Sequence, residues 1–298
     1  MDALFLRDLP EPRDPIFVMA FAGWNDAAEA ATLAARYLVE RLKGERFASI
    51  PSEDFYQFSD QRPLVRLDAA GRRQIHWPVN EFFYCRAPSL SRDLVVGIGV
   101  EPHLQWRRFS RDVLEIIRRA RARLIVTMGA LLAGELHTAP IRLVSLATDP
   151  ALVEPIGVEI SSYEGPTGIV GVIHSLMQDE GIPAVSLWAN VPHYIAALPN
   201  PKASFALLDR FRALGGIPLD LGDMELSAER FERQVEEAIS QDPRFARYVS
   251  QFQEGGAPAG EEAEDEAPED DEDELPPGDQ VADEVERFLR RRRGRPEE

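Results

Sequence analysis

The sequence predicts a three-layer α/β/α fold whose sheet is mixed but mainly parallel, and three observations predict it. The first is a set of apolar runs at 16–22, 123–128 and 182–189, too continuous for strands with one wet face. The second is that segments of helical periodicity separate them. Strands that alternate with helices need crossover connections, and these give a parallel sheet covered on both faces. The third is size, since 298 residues with 44% hydrophobic content can bury one core of about 250 residues.

Strand 16–22 runs into Gly-Trp-Asn-Asp-Ala at 23–27, where Asn25 or Asp26 is placed to cap an alanine-rich helix ending near Lys43 and Gly44. Ala30, Leu33, Ala34, Tyr37 and Leu38 keep helical spacing there, and the small members allow close approach to a sheet. Residues 46–99 change character. Short runs at 64–67 and 74–77 flank Asp-Ala-Ala-Gly-Arg, a hairpin connection, so an antiparallel excursion is expected near 50–90. Its aromatics (Phe55, Tyr56, Phe58, Trp77, Phe82, Phe83, Tyr84) exceed what a small sheet needs to cover itself and are expected to meet a neighbouring subunit. Strands follow at 81–87 and 93–98.

A charged amphipathic helix is expected at 106–121, with Phe109, Val113, Ile116 and Ile117 on its apolar stripe. Strands at 123–128 and 141–147 come next. In the block 163–194, Gly165, Gly168 and Gly171 recur at every third residue and Thr167 is positioned to cap a helix that runs to about Glu180. Gly181 closes that helix, and the buried strand 182–189 follows. Helices are expected at 201–214 and, with Ser227 as cap and a break at Asp242 and Pro243, over 227–253.

Residues 1–253 thus read as one α/β/α domain with the excursion and C-terminal helices. Residues 254–280 hold 13 acids and no base, an acidic linker with too little to bury to offset its conformational entropy. In 281–298, Val281, Val285, Phe288 and Leu289 share one face of a short amphipathic tail helix.

Charge and composition narrow the function. The net charge of −18 belongs largely to the linker; with 5 acids against 6 arginines after it, 33 acids and 27 bases remain in 1–253. A body this weakly charged offers no nucleic-acid surface. Only Lys43 and Lys202 are lysines, and no phosphate-binding glycine loop accompanies them, so Schiff-base and nucleotide-dependent chemistry are disfavoured. The single Cys85 excludes an internal disulfide and a thiolate zinc site. No histidine has a second one four residues on, and no metal or cofactor is expected. No apolar segment approaches the roughly 18 residues that span a bilayer, and no basic leader region is present, so no membrane contact and a cytoplasmic location are expected.

In a parallel α/β sheet the ligand crevice lies beyond the carboxyl ends of the strands. Five loops qualify: 23–26, 99–103, 129–130, 163–168 and 190–194. Between them they carry Trp24, Asn25, Asp26, Glu101, His103, Glu164, Thr167, Asn190 and His193. These residues suit a small anion or sugar, and His103 or His193 could pair with Glu101 or Glu164 as acid and base. The same residue types also cap helices and satisfy turns. In that arrangement Asp26 and Thr167 lie on backbone amides and Glu164 lies near the glycine-rich helix start. With no nucleophile elbow, metal set or nucleotide loop in the sequence, no catalytic residue is assigned and the second arrangement is favoured.

Phe-Ala-Gly-Trp-Asn-Asp-Ala at 21–27, Glu-Gly-Pro-Thr-Gly-Ile-Val-Gly at 164–171, Ile-Pro-Ala-Val-Ser-Leu-Trp-Ala at 182–189 and Val-Pro-His-Tyr at 191–194 resemble the proteasome assembly chaperone 2 family, in its bacterial, actinobacterial-type branch. The likeness covers roughly residues 4–252. It implies a core similar to the phosphorylase/hydrolase-like fold, homo-oligomers with trimers among them, and an assembly or interaction role with a protein partner it does not identify. An enzyme acting on a nucleoside or small amide-like substrate is the alternative it implies. A link to ATP-grasp carboxylate-amine ligases is disfavoured by the lysine scarcity. Some relatives act through a C-terminal hydrophobic-Tyr-X motif, which the final Arg-Pro-Glu-Glu of this sequence does not carry.

Overall fold

The computed structural model describes residues 4–5, 8–9, 11–86, 90–196, 199–241, 247 and 249. Four parallel strands form the centre of a nine-stranded sheet: β7 (Leu94–Val100), β2 (Ile16–Ala22), β8 (Leu124–Ala133) and β11 (Ala184–Pro192), side by side in that order. Antiparallel strands extend it. β6 (Asn80–Cys85), β3 (Glu45–Ile50) and β1 (Leu4–Phe5) continue beyond β7, and β9 (Leu143–Ala147) lies beyond β11 with β10 (Glu159–Ile160) parallel to it.

The period-two alternation of β2 divides the core. Ile16, Val18 and Ala20 join one apolar cluster, covered by α1 (Ala30–Leu42) and α4 (Pro201–Gly215), with α5 (Gly222–Gln241) packed on α4. Phe17, Met19 and Phe21 join the other, under α2 (Trp106–Ala120) and α3 (Ile169–Asp179). This is the three-layer arrangement read from the sequence. Cys85 is fully buried, and burial pushes its thiol up to about 12, so it behaves as core. No helix among the described residues is long and apolar enough to cross a membrane.

Several sequence expectations are corrected. Helix α5 begins at Gly222, so Ser227 lies inside it, its hydroxyl donating to Asp223 O at 2.8 Å. Met224 sits four residues before Ala228 and carries the apolar stripe of the helix one turn earlier. Residues 129–130 and 190–192, expected in loops, lie within strands, because the β8–β11 ladder runs on through Asn190↔Leu131 to Pro192↔Ala133. The sheet is mixed as expected: strand β9 is antiparallel to β11, since no helix crosses between β8 and β9 to carry the chain back.

The excursion contains the expected hairpin, β4 (Leu64–Leu67) with β5 (Arg73–His76), closed by Asp68, which accepts from Ala70 N and Arg72 N at 2.9 Å each. Its aromatics are placed differently from the expectation. Phe55, Tyr56, Phe82 and Tyr84 are buried in the chain's own core, because β6 pairs with β7 instead of standing apart. The excursion's exposed large apolar residues are on the hairpin and at Trp77 just after it. Val65, Leu67 and Ile75 share one of its faces, as the Val65↔Ile75 register requires, and Trp77 follows directly after β5 with its ring against Phe58; each of the four is about half exposed or more. The helix expected after Asp242 and Pro243, the linker 254–280 and the tail helix 281–298 lie outside the described residues.

Candidate functional site

Strand β2 leads to α1 on one side of the sheet and β7 leads to α2 on the other, so their carboxyl ends diverge and leave the crevice where such folds hold ligands. Here the crevice is filled. Glu101, just past β7, receives hydrogen bonds on one carboxylate oxygen from Asn25 Nδ2 and from Ile169 N, each at 2.7 Å. Its own amide donates to Ala22 O at 2.9 Å. One carboxylate thereby ties the loops after β2 and β7 to the first turn of α3, where unpaired amides and the helix dipole favour negative charge.

Glycines make that packing fit. Gly23 turns at φ +119, a conformation side chains rarely adopt, with Glu101 against it. A Cβ on Gly168 would stand 2.2 Å from Asn25 Oδ1 and 2.7 Å from Glu101 Oε1. The Asn25 carboxamide oxygen is buried with no hydrogen-bond partner among the described residues.

The other predicted residues have separate duties. Asp26 is buried and accepts from Ala31 N at 2.7 Å, from Thr32 N at 3.2 Å and from the Thr32 hydroxyl, so it caps α1 as expected. Burial pushes its carboxyl above the ordinary value of 3.8, against the pull of those hydrogen bonds. Thr167 does not cap α3; Gly168 is the N-cap and Glu101 supplies the acceptor from another loop. Glu164 is exposed, and among the described residues it has no hydrogen-bond or ion-pair partner at the helix start. His103 Nδ1 accepts from Gln57 N at 3.1 Å, and its ring meets Tyr56 edge-on. His193 Nδ1 lies 3.4 Å from Ala133 O, beside the Tyr194 ring. Asn190 is buried in β11 opposite Leu131. The structure joins Asn25 to Glu101 and leaves both histidines engaged elsewhere.

Beside the filled crevice lies an open cavity of about 600 Å³. Trp188, Val144 and Leu146 line it from β11 and β9, on one face of the sheet by their register. Leu131 and Leu132 at the end of β8 join them, and Trp24, Tyr163, Pro166 and Thr167 complete the rim. Two of the predicted residues, Trp24 and Thr167, therefore reach it. The aliphatic and Trp188 walls escape sequence reasoning, because apolar residues at strand ends carry the same pattern as core residues. The available signal was Leu131-Leu132 directly after Gly129-Ala130 and a tryptophan in a strand that holds no other aromatic residue.

Two other polar clusters are buried. Thr127 Oγ1 donates to Ser186 Oγ at 2.6 Å, and Ser186 Oγ lies 3.2 Å from His174 Nδ1, whose pKa burial lowers so that the ring stays neutral. None of the three lines the cavity. Asp93 accepts from Arg13 Nη2 at 2.6 Å, from Arg86 Nη2 at 3.0 Å and from the Tyr84 hydroxyl. Burial works against its charge, but these bonds outweigh it and hold the carboxyl at about 2. Among the described residues no three His, Cys, Asp or Glu side chains are grouped to hold a metal.

Comparison with known proteins places the fold. Residues 20–239 match the model of the PAC2 family. The solved structure of a PAC2 family protein from Streptomyces avermitilis is 38% identical with a TM-score of 0.72, covering 79% of this chain and 100% of that one. A proteasome-assembly chaperone homologue from Mycobacterium tuberculosis is likewise 38% identical at a TM-score of 0.72, covering 78% of this chain and 99% of its own. An archaeal proteasome activator from Pyrococcus furiosus shares the fold alone: 21% identity, TM-score 0.63, 79% of this chain and 98% of that one.

Proposed function

The chain belongs to the PAC2 family, and from that premise we propose that it is an assembly-chaperone-like interaction protein: a cytoplasmic homo-oligomer that acts on a protein partner. The observation that carries this reading is the filled crevice. Where an enzyme of this fold class would admit substrate, Glu101 accepts from Asn25 Nδ2 and from the Ile169 amide of α3. An enzyme acting on a nucleoside or amide would need a polar group left facing an opening there, as a general acid, base or nucleophile. The relatives named as a proteasome-assembly chaperone homologue and a proteasome activator point the same way.

The apolar face of the β4–β5 hairpin supplies the contact surface. A two-stranded hairpin alone is marginally stable in water, and Val65, Leu67, Ile75 and Trp77 gain by burial against a second copy. Static light scattering at micromolar concentration tests this. The expected result is a multiple of the chain mass, a trimer being the arrangement named by the resemblance, and a monomer for Leu67→Asp with Ile75→Asp. Binding of purified proteasome subunits from the same organism tests the partner. A monomeric chain that turns over a nucleoside and loses the activity on Glu101→Gln would overturn the reading.

A further inference from the structure

Three glycines are placed so that a larger side chain can lie against each, and in all three cases that side chain lines the open cavity. A Cβ on Gly129 would stand 2.6 Å from Trp188 Cε3, so the indole lies across β8 where no side chain rises. On Gly165 it would stand 2.4 Å from the Tyr163 hydroxyl, which donates to Pro166 O at 3.1 Å and is thereby held over the loop. On Gly171 it would stand 2.0 Å from Thr167 Oγ1. The walls are therefore set before anything binds, and the space they leave, about 600 Å³, falls within the range of small-molecule sites.

The lining also decides the chemistry. Among the described residues it includes two tryptophans, a tyrosine and four aliphatic side chains from β8 and β9, and no Asp, Glu, Lys, Arg or His. A site without a charge to pair gives an ionised ligand no compensation for lost hydration, which excludes phosphates, nucleotides and amino acids. Ser161, Tyr163 and Thr167 supply hydroxyls among otherwise apolar walls, enough to orient one polar end. We infer that this cavity is a binding site for a neutral, largely apolar small molecule with an aromatic or fused-ring body and a single hydroxyl or carbonyl. The site is separate from the hairpin face and does not depend on the interaction role.

The test uses the full chain and N-phenyl-1-naphthylamine, an uncharged fluorescent probe of this shape. Saturable fluorescence enhancement is expected, with affinity weakened at least about tenfold in Leu132→Glu, which brings an unpaired charge to the cavity, and in Val144→Phe, which fills it. Leu132 is half exposed, so its variant should keep the parent melting temperature and separate loss of binding from loss of folding. The anionic analogue 1-anilinonaphthalene-8-sulfonate should bind at least about tenfold more weakly at the same place. Absence of saturable enhancement, or enhancement indifferent to both substitutions in folded protein, overturns the inference. So does a probe that binds only the monomeric Leu67→Asp, Ile75→Asp variant, because the cavity would then belong to a subunit contact.

Discussion

Two openings lie at the same end of the sheet, and they were built from opposite materials. Between β2 and β7 the loops carry the polar residues, and these meet: Glu101 accepts from both Asn25 Nδ2 and the Ile169 amide, and the space closes. Between β8, β11 and β9 the residues are aromatic and aliphatic, with glycines beneath the bulkiest, and the space stays open. The difference teaches that polar side chains at strand ends seek partners first. Where loops are close enough to supply them, a crevice that is a binding site in other α/β folds becomes a clasp. Apolar side chains have no such partners to reach for, and their packing leaves a cavity wherever the rings are too stiff to fill it.

Breaking the clasp should give the largest effect. Glu101→Ala leaves two donors, Asn25 Nδ2 and Ile169 N, without their acceptor, which should cost about 2–4 kcal/mol in chemical denaturation. Glu101→Gln keeps an acceptor oxygen and should lose markedly less. An unchanged midpoint for the alanine variant would show that the crevice is held shut by packing alone. Gly168→Ala presses on the same contact from the other side, and overpacking against Asn25 should cost about 1–3 kcal/mol.

Acid titration distinguishes carboxylates that resemble one another in sequence. Asp93 is held at about 2 when folded against an ordinary 3.8, so its contribution is complete above about pH 4 and is lost as pH falls toward 2, about 2 kcal/mol in all. Asp93→Asn should remove that slope from a pH series of denaturation midpoints. Asp26 runs the opposite way. Its folded value is raised, so the folded state takes up a proton first, and its contribution to stability declines as pH rises from 3.8 through the raised value. The stability difference between the parent and Asp26→Asn should therefore shrink as pH rises through that window. The smallest effect belongs to the cavity rim: Leu132→Ser should change stability by less than about 0.5 kcal/mol, because the side chain is already half in water. A larger loss would mean that the cavity is closed in solution.

What could be read from the sequence was whatever depends on near neighbours. Strand β2, helices α1, α2 and α4 and the β4–β5 hairpin fall where periodicity, caps and turn residues put them. Asp26 caps its own helix because donor and acceptor lie within six residues. The family, and with it the three-layer fold, was legible in the blocks at 21–27, 164–171 and 182–194.

Everything that joins distant segments was settled by the tertiary structure. Residues 76 apart meet in the Asn25–Glu101 pair, and 68 separate Glu101 from the Ile169 amide it caps. Thr167 loses that cap because the extended backbone of Gly168 starts the helix beside a stronger, charged acceptor. The strands outran their apolar runs because a ladder continues for as long as its partner strand does, whatever the side chains. The cavity depended on the β8–β11 and β9–β11 registers, which set Trp188 over Gly129 and beside Val144. Local composition determines which residues must find partners, but which partners they find depends on loops and strands brought together only when the sheet closes its core.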